Sequence, residues 1–162
     1  MKIILFVLSF LFVNSSTYAD GHSGKMHLEG FGAWSLNVMN AGNGNLSITY
    51  DGLFSGVAMD GTKFGNNSSV QCVGGLTASK GEFNDESGIC KFLFSNGDTA
   101  FTKYTGFGQV GKSGSGTFEF IGGTGKYKSI SGSGTVTRVQ IQSAKKGFAQ
   151  SKNVFKGSYE LE

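Results

Sequence analysis

The chain has 162 residues, 27 of them glycine and none proline, and a formal charge of +3. That length is one ordinary domain. A lone arginine, Arg138, among scattered lysines excludes the basic stripe of a nucleic-acid binder. The glycine load excludes a helical core, where each glycine costs about 1 kcal/mol against alanine.

In chain order, Met1-Lys2 is a short positive start, Ile3–Val13 is apolar, and Asn14–Ala19 is polar, with small residues at Thr17 and Ala19. This is the pattern of a secretory signal cleaved between Ala19 and Asp20. The apolar run is shorter than the roughly 20 residues needed to span a bilayer. The expectation is an exported protein, periplasmic or secreted and not membrane-spanning, with residues 1–19 removed and 20–162 forming one domain. Cleavage there would make His22 the third residue. That arrangement can hold Cu(II) or Ni(II) through the amine, two deprotonated amides and the imidazole; the plainer reading is an incidental histidine on a flexible terminus. No other metal and no cofactor is suggested.

Beyond Asp20, short apolar–polar alternations recur between glycine-rich turns, the signature of an all-β barrel or sandwich. One face of His27–Val38 carries Leu28, Gly30, Gly32, Trp34, Leu36 and Val38, and Leu46, Ile48 and Tyr50 share a face further on. Two glycines before Trp34 on its own face suggest open space beside the indole. Val70, Cys72, Gly74 and Leu76 alternate with polar residues, as do Cys90, Phe92 and Phe94, so both cysteines fall on apolar parity. One even pair in an exported chain reads as a buried disulfide worth about 3 kcal/mol. Phe118 and Phe120 flank Glu119; Val139 and Ile141 read as the apolar face opposite Arg138; Phe155, Gly157, Tyr159 and Leu161 form the last inward row. With the ambiguous runs Leu53–Met59 and Thr99–Thr105 included, about eight or nine strands are expected. A closed antiparallel barrel removes the exposed edges, and a two-sheet sandwich is the alternative.

Chemistry-bearing motifs are few. Gly106–Ser113 fits both a phosphate-binding loop and a dinucleotide fingerprint, but each requires a helix next. The residues after Ser113 are Gly-Ser-Gly-Thr-Phe-Glu-Phe, so the segment reads as an inter-strand loop and no nucleotide is expected. Asp85-Glu86 lies in a polar stretch, Gly81–Gly88, that reads as a solvated turn. With only His22 and His27 available, a nucleophilic triad has little to build on. The inward faces carry almost no ionisable group, which favours a packed core or passive binding over acid–base catalysis. Trp34, Tyr50, Tyr104 and Tyr159 are the candidate ligand-binding residues, for a small apolar molecule.

The run Gly114–Gly134, centred on Phe-Ile-Gly-Gly-Thr-Gly-Lys-Tyr and ending in Gly132-Ser-Gly134, resembles a hairpin of the allene oxide cyclase/dirigent-like barrel superfamily, its small exported bacterial members above all. Lys156-Gly-Ser-Tyr-Glu-Leu161 and the Asn96-Gly-Asp98 turn fit the same pattern. The resemblance implies an eight-stranded antiparallel barrel, allene-oxide-cyclase-like in shape and lipocalin-like in plan, sometimes oligomeric. Plant members cyclise an epoxide or steer radical coupling inside the barrel, but none of their catalytic residues transfers to a position here. Two functions are open: a noncatalytic barrel that binds a small apolar ligand or serves as an envelope interaction module, which the sequence favours, and a cyclase- or dirigent-like enzyme. The second requires an acid inside the barrel.

Overall fold

The computed structural model describes residues 22–162. The signal segment and its cleavage site, Ala19 and Asp20, lie outside them. The strands are β1 (His22–Gly42), β2 (Asn45–Ala58), β3 (Ser68–Ser79), β4 (Glu82–Leu93), β5 (Thr99–Gln109), β6 (Ser113–Gly123), β7 (Ser131–Ile141) and β8 (Phe148–Leu161). They form a closed antiparallel barrel in sequence order, with β1 paired to β8. The count is eight, and both ambiguous runs are strands, Leu53–Ala58 in β2 with Met59 just beyond it and Thr99–Thr105 in β5. The one helical element among the described residues is a 3₁₀ turn, Gly125–Tyr127.

Inward parity follows the sequence for β1, β2, β3 and β8. Leu28, Trp34, Ile48, Tyr50, Val70, Cys72 and Phe155 are all buried. Cys72 and Cys90 sit directly opposite on β3 and β4 and are joined by a disulfide inside the barrel. The space expected beside Trp34 is filled differently. Side chains at Gly30 and Gly32 would run into Phe54, whereas the indole itself lies over Gly52, where a Cβ would overlap the ring.

The two ends of the barrel are built differently. One end is closed by the β2–β3 loop. Met59 N–H donates to His27 O over 2.8 Å, and the His27 ring approaches the Asp60 carboxylate at 2.6 Å, which fixes the loop against β1. The loop inserts Phe64 among Phe92, Phe94, Phe120, Tyr127 and Tyr159, with ring centroids 4.9–5.9 Å away. Edge-to-face contacts of this kind add about 0.5–1.5 kcal/mol each beyond area burial. The Gly122–Gly125 motif serves this plug. Gly125 has φ +54°, Asp98 Oδ2 accepts from Lys126 N–H at 3.3 Å, and the turn delivers Tyr127 onto Phe94 at 4.1 Å.

At the other end each of the four hairpin turns is tied to a neighbouring turn or strand. Lys80 N–H donates to Gly44 O, Val110 N–H to Gly81 O, Gln140 N–H to Lys112 O, and Leu36 N–H to Gly147 O. The rim is thus tied together without a plug. This end is open.

Candidate functional site

Below the open rim four polar side chains meet inside the barrel. Glu86 of β4 is 5% exposed. Arg138 of β7 forks onto its carboxylate, Nη1 to Oε1 at 2.6 Å and Nη2 to Oε2 at 3.1 Å. Tyr50 of β2 donates its hydroxyl to Glu86 Oε1 at 2.7 Å. Tyr104 of β5 lies 2.6 Å from the Tyr50 oxygen. Tyr50 has one proton, already given to a carboxylate that only accepts, so Tyr104 is the donor between the phenols.

Glycines make this meeting possible. Gly74 and Gly88 occupy the barrel row between Tyr50 and Tyr104, and a Cβ at either would strike the Tyr104 hydroxyl. A Cβ at Gly106 would lie 2.6 Å from Glu86 Oε2, and one at Gly114 would lie 3.1 Å from Arg138 Nη2. The segment that imitates a phosphate loop is therefore the end of β5, the turn Val110–Lys112 and the start of β6. Gly106 within it and Gly114 just after it lie under an ion pair.

Burial raises both phenols. Tyr104 is pushed up to about 12, chiefly by desolvation and further by the Glu86 charge. Tyr50 is driven higher by desolvation, by Tyr104 and by Glu86. Both are neutral hydrogen-bond donors at physiological pH. Burial opposes the charge on Arg138, but the hydrogen bonds and charge of Glu86 outweigh it, leaving the guanidinium above its ordinary value. The charges and the proton positions are fixed by these partners.

A second chain of donors starts at Trp34. Its Nε1–H donates to Ser151 Oγ at 2.8 Å, and Ser151 Oγ–H donates to Asn153 Oδ1 at 3.2 Å. Ser151 thus accepts from the indole and gives its one proton to the Asn153 carbonyl oxygen. The Asn153 Nδ2 is buried without a partner. Asn153 stands directly opposite Arg138 in the β7–β8 register. The two line a pocket of about 40 Å³ with Glu86, Tyr104, Phe155 and the disulfide. Above it a wider cup of about 190 Å³ opens to the rim between Trp34, Leu36, Ile48, Leu76, Phe83 and Phe148.

Three of the four candidate ligand residues, Trp34, Tyr50 and Tyr104, are brought together. Tyr159 belongs to the plug at the other end, against Phe64. His22 opens β1 opposite Leu161, exposed; Asp20 and Gly21, needed to complete its copper or nickel chelate, lie outside the described residues. No cluster of three or more His, Cys, Asp or Glu suited to a metal occurs among the described residues.

Two expectations are corrected. Glu86 is not part of a solvated turn: it lies in β4, two residues before Gly88 and four before Cys90 on the same inward parity. Of the acidic pair, Asp85 is the exposed one, on a bulge that shifts the β4–β5 register between Phe83 and Glu86. In β7 the inward face is Gly134, Val136 and Arg138, while Val139 and Ile141 are 56% and 41% exposed. The interior is not free of ionisable groups. Extending the Cys90–Phe92–Phe94 parity back through Gly88 is the signal that points to Glu86.

No protein-family profile and no curated protein sequence matches the chain. Among solved structures, a pterocarpan synthase dirigent protein superposes with a TM-score of 0.50 at 13% identity, covering 84% of this chain and 85% of that one. The fold is dirigent-like. At that identity the likeness concerns the barrel alone.

Proposed function

We propose that this protein is an exported small-molecule-binding barrel that holds a compact, largely apolar ligand in the cup at its open end. The observation that carries the reading is the cup itself: about 190 Å³ of mostly apolar wall above a floor whose hydrogen bonds are fixed in advance. Apolar walls with a few convergent polar groups are the usual make-up of a small-molecule site. Export is supported by the Cys72–Cys90 disulfide, which suits an oxidising compartment, and by the reading of residues 1–19; N-terminal sequencing of the exported protein tests it. For binding, Trp34 is the chain's one tryptophan and stands on the cup wall, so its emission reports occupancy. Titration with a neutral apolar reporter should give saturable one-to-one binding that Ala149→Phe, which fills the cup, abolishes. Unsaturable binding, or binding indifferent to Ala149→Phe, would reject the cup.

A second reading, an enzyme of the cyclase or dirigent kind, is favoured by the acid inside the barrel. The fold neighbour is itself called a synthase. Against it, Glu86 already accepts from Arg138 and Tyr50, and both phenols are held neutral, so acid–base work would first have to dismantle the network. Conversion of a bound hydrophobic substrate, lost in Glu86→Gln with binding retained, would establish it.

A further inference from the structure

Three features of the open end converge on one ligand chemistry. The first is the donor pair inside it. Asn153, 3% exposed, turns its oxygen to Ser151 and has no hydrogen-bond partner on Nδ2. Arg138, beside it in the sheet register, gives Glu86 one hydrogen from each of two nitrogens and has further N–H groups beyond that fork. The pocket that both line, together with the Arg138-paired Glu86, is about 40 Å³ and admits a group of a few heavy atoms. Donors facing one small space call for an acceptor there.

The second feature is charge. The hairpins of the open rim carry Lys80, Lys112, Lys145 and Lys146 against two outer acids, Glu82 and Asp85. Glu86 neutralises Arg138 but leaves this rim net positive, so the mouth attracts anions. The third feature is the wall, where the flat rings of Trp34, Phe83 and Phe148 face the cup. Lys145 Nζ lies 4.4 Å from the Phe148 ring centre, placing a cation directly at the entrance.

We infer that the ligand is a small aromatic monocarboxylate, its ring in the cup and its carboxylate between Asn153 Nδ2 and Arg138. This rests on the binding reading above and names the head group. The anion is drawn in by the rim and meets an unpaired donor and a guanidinium that line one pocket.

The test uses the disulfide-intact chain with para-tert-butylbenzoate and its uncharged amide, read by calorimetry and by Trp34 emission. The acid should bind about tenfold more tightly than the amide, the difference expected of charge-assisted hydrogen bonds. Asn153→Ala should remove about that factor for the acid alone. Because Asn153 is buried and its loss can disturb folding, the variant Lys80→Gln/Lys146→Gln, two exposed rim lysines outside the cup lining, is measured beside it. That variant, and added salt, should weaken the acid and leave the amide unchanged. Equal binding of acid and amide, or acid binding untouched by the rim variant and by salt, overturns the carboxylate assignment while the small-molecule reading stands. Absence of binding by both compounds overturns the two together. Octanoate matching the benzoate overturns the aromatic part.

Discussion

The two ends of this barrel solve the same problem, how to fill a cylinder of eight strands, with opposite chemistry. The plugged end uses rings alone: Phe64 enters from a loop and its neighbours close around it without a buried charge. The open end gives its interior to Glu86, Arg138 and two tyrosines, and clears space for them with Gly74, Gly88, Gly106 and Gly114. A buried ion pair is rarely the stronger choice for stability, since desolvation can exceed the attraction. One end is thus built to hold the fold, and the other to present fixed polar groups beneath an apolar cup.

The ion pair should respond most strongly to mutation. Arg138→Met strands a buried carboxylate and should cost about 3–5 kcal/mol in urea unfolding, with Trp34 emission altered. The double variant Glu86→Leu/Arg138→Met should recover most of that loss; if it does not, the open end is structural in the same sense as the plug. Next comes Phe64→Ala, about 3 kcal/mol through cavity formation, with binding in the cup unchanged in the folded fraction. Altered affinity there would show that the ends are coupled.

Alkaline pH separates the ends in another way. Tyr104 ionises near 12 when folded, against 10.0 for the free phenol. The native state therefore holds this proton more tightly, and the stability it contributes is complete below pH 10 and lost as pH rises from 10 to 12. Tyr104→Phe should flatten that part of the alkaline stability curve. An unchanged slope would mean that other groups carry it. Tyr50→Phe should do least, about 2 kcal/mol for the loss of its bonds to Glu86 and Tyr104, seen as a shift in the urea midpoint.

The barrel and the disulfide were legible because period-2 alternation survives along most strands: Cys72 and Cys90 both fall on it, and the register joins them. The open end was harder to read. Hydrophobicity alone turns Val139 and Ile141 inward and Arg138 out. The real register reverses this because Glu86 provides the arginine with a partner and glycine provides the room. At Glu86 the polar run Asn84-Asp85-Glu86 looks like a turn, yet a bulge takes Asp85 outside and leaves the next residue within. Trp34, Tyr50 and Tyr104 could be grouped as inward aromatics, but Tyr159 shows the limit. Parity reports which face a residue shares and says nothing of its height along the barrel axis.

The closure between β1 and β8 has a consequence for how the chain reaches this state. Residues 22–35 pair with 148–161, so the first strand finds its second neighbour only when the last has been made. Until then β1 presents an open edge with Phe31 on its outer face, the kind of template that recruits other chains. Loop-closure entropy for so distant a pairing must be met late. Folding of this barrel is therefore paced by its final strand, and the interval before that strand arrives is when the chain most needs shielding from its own copies.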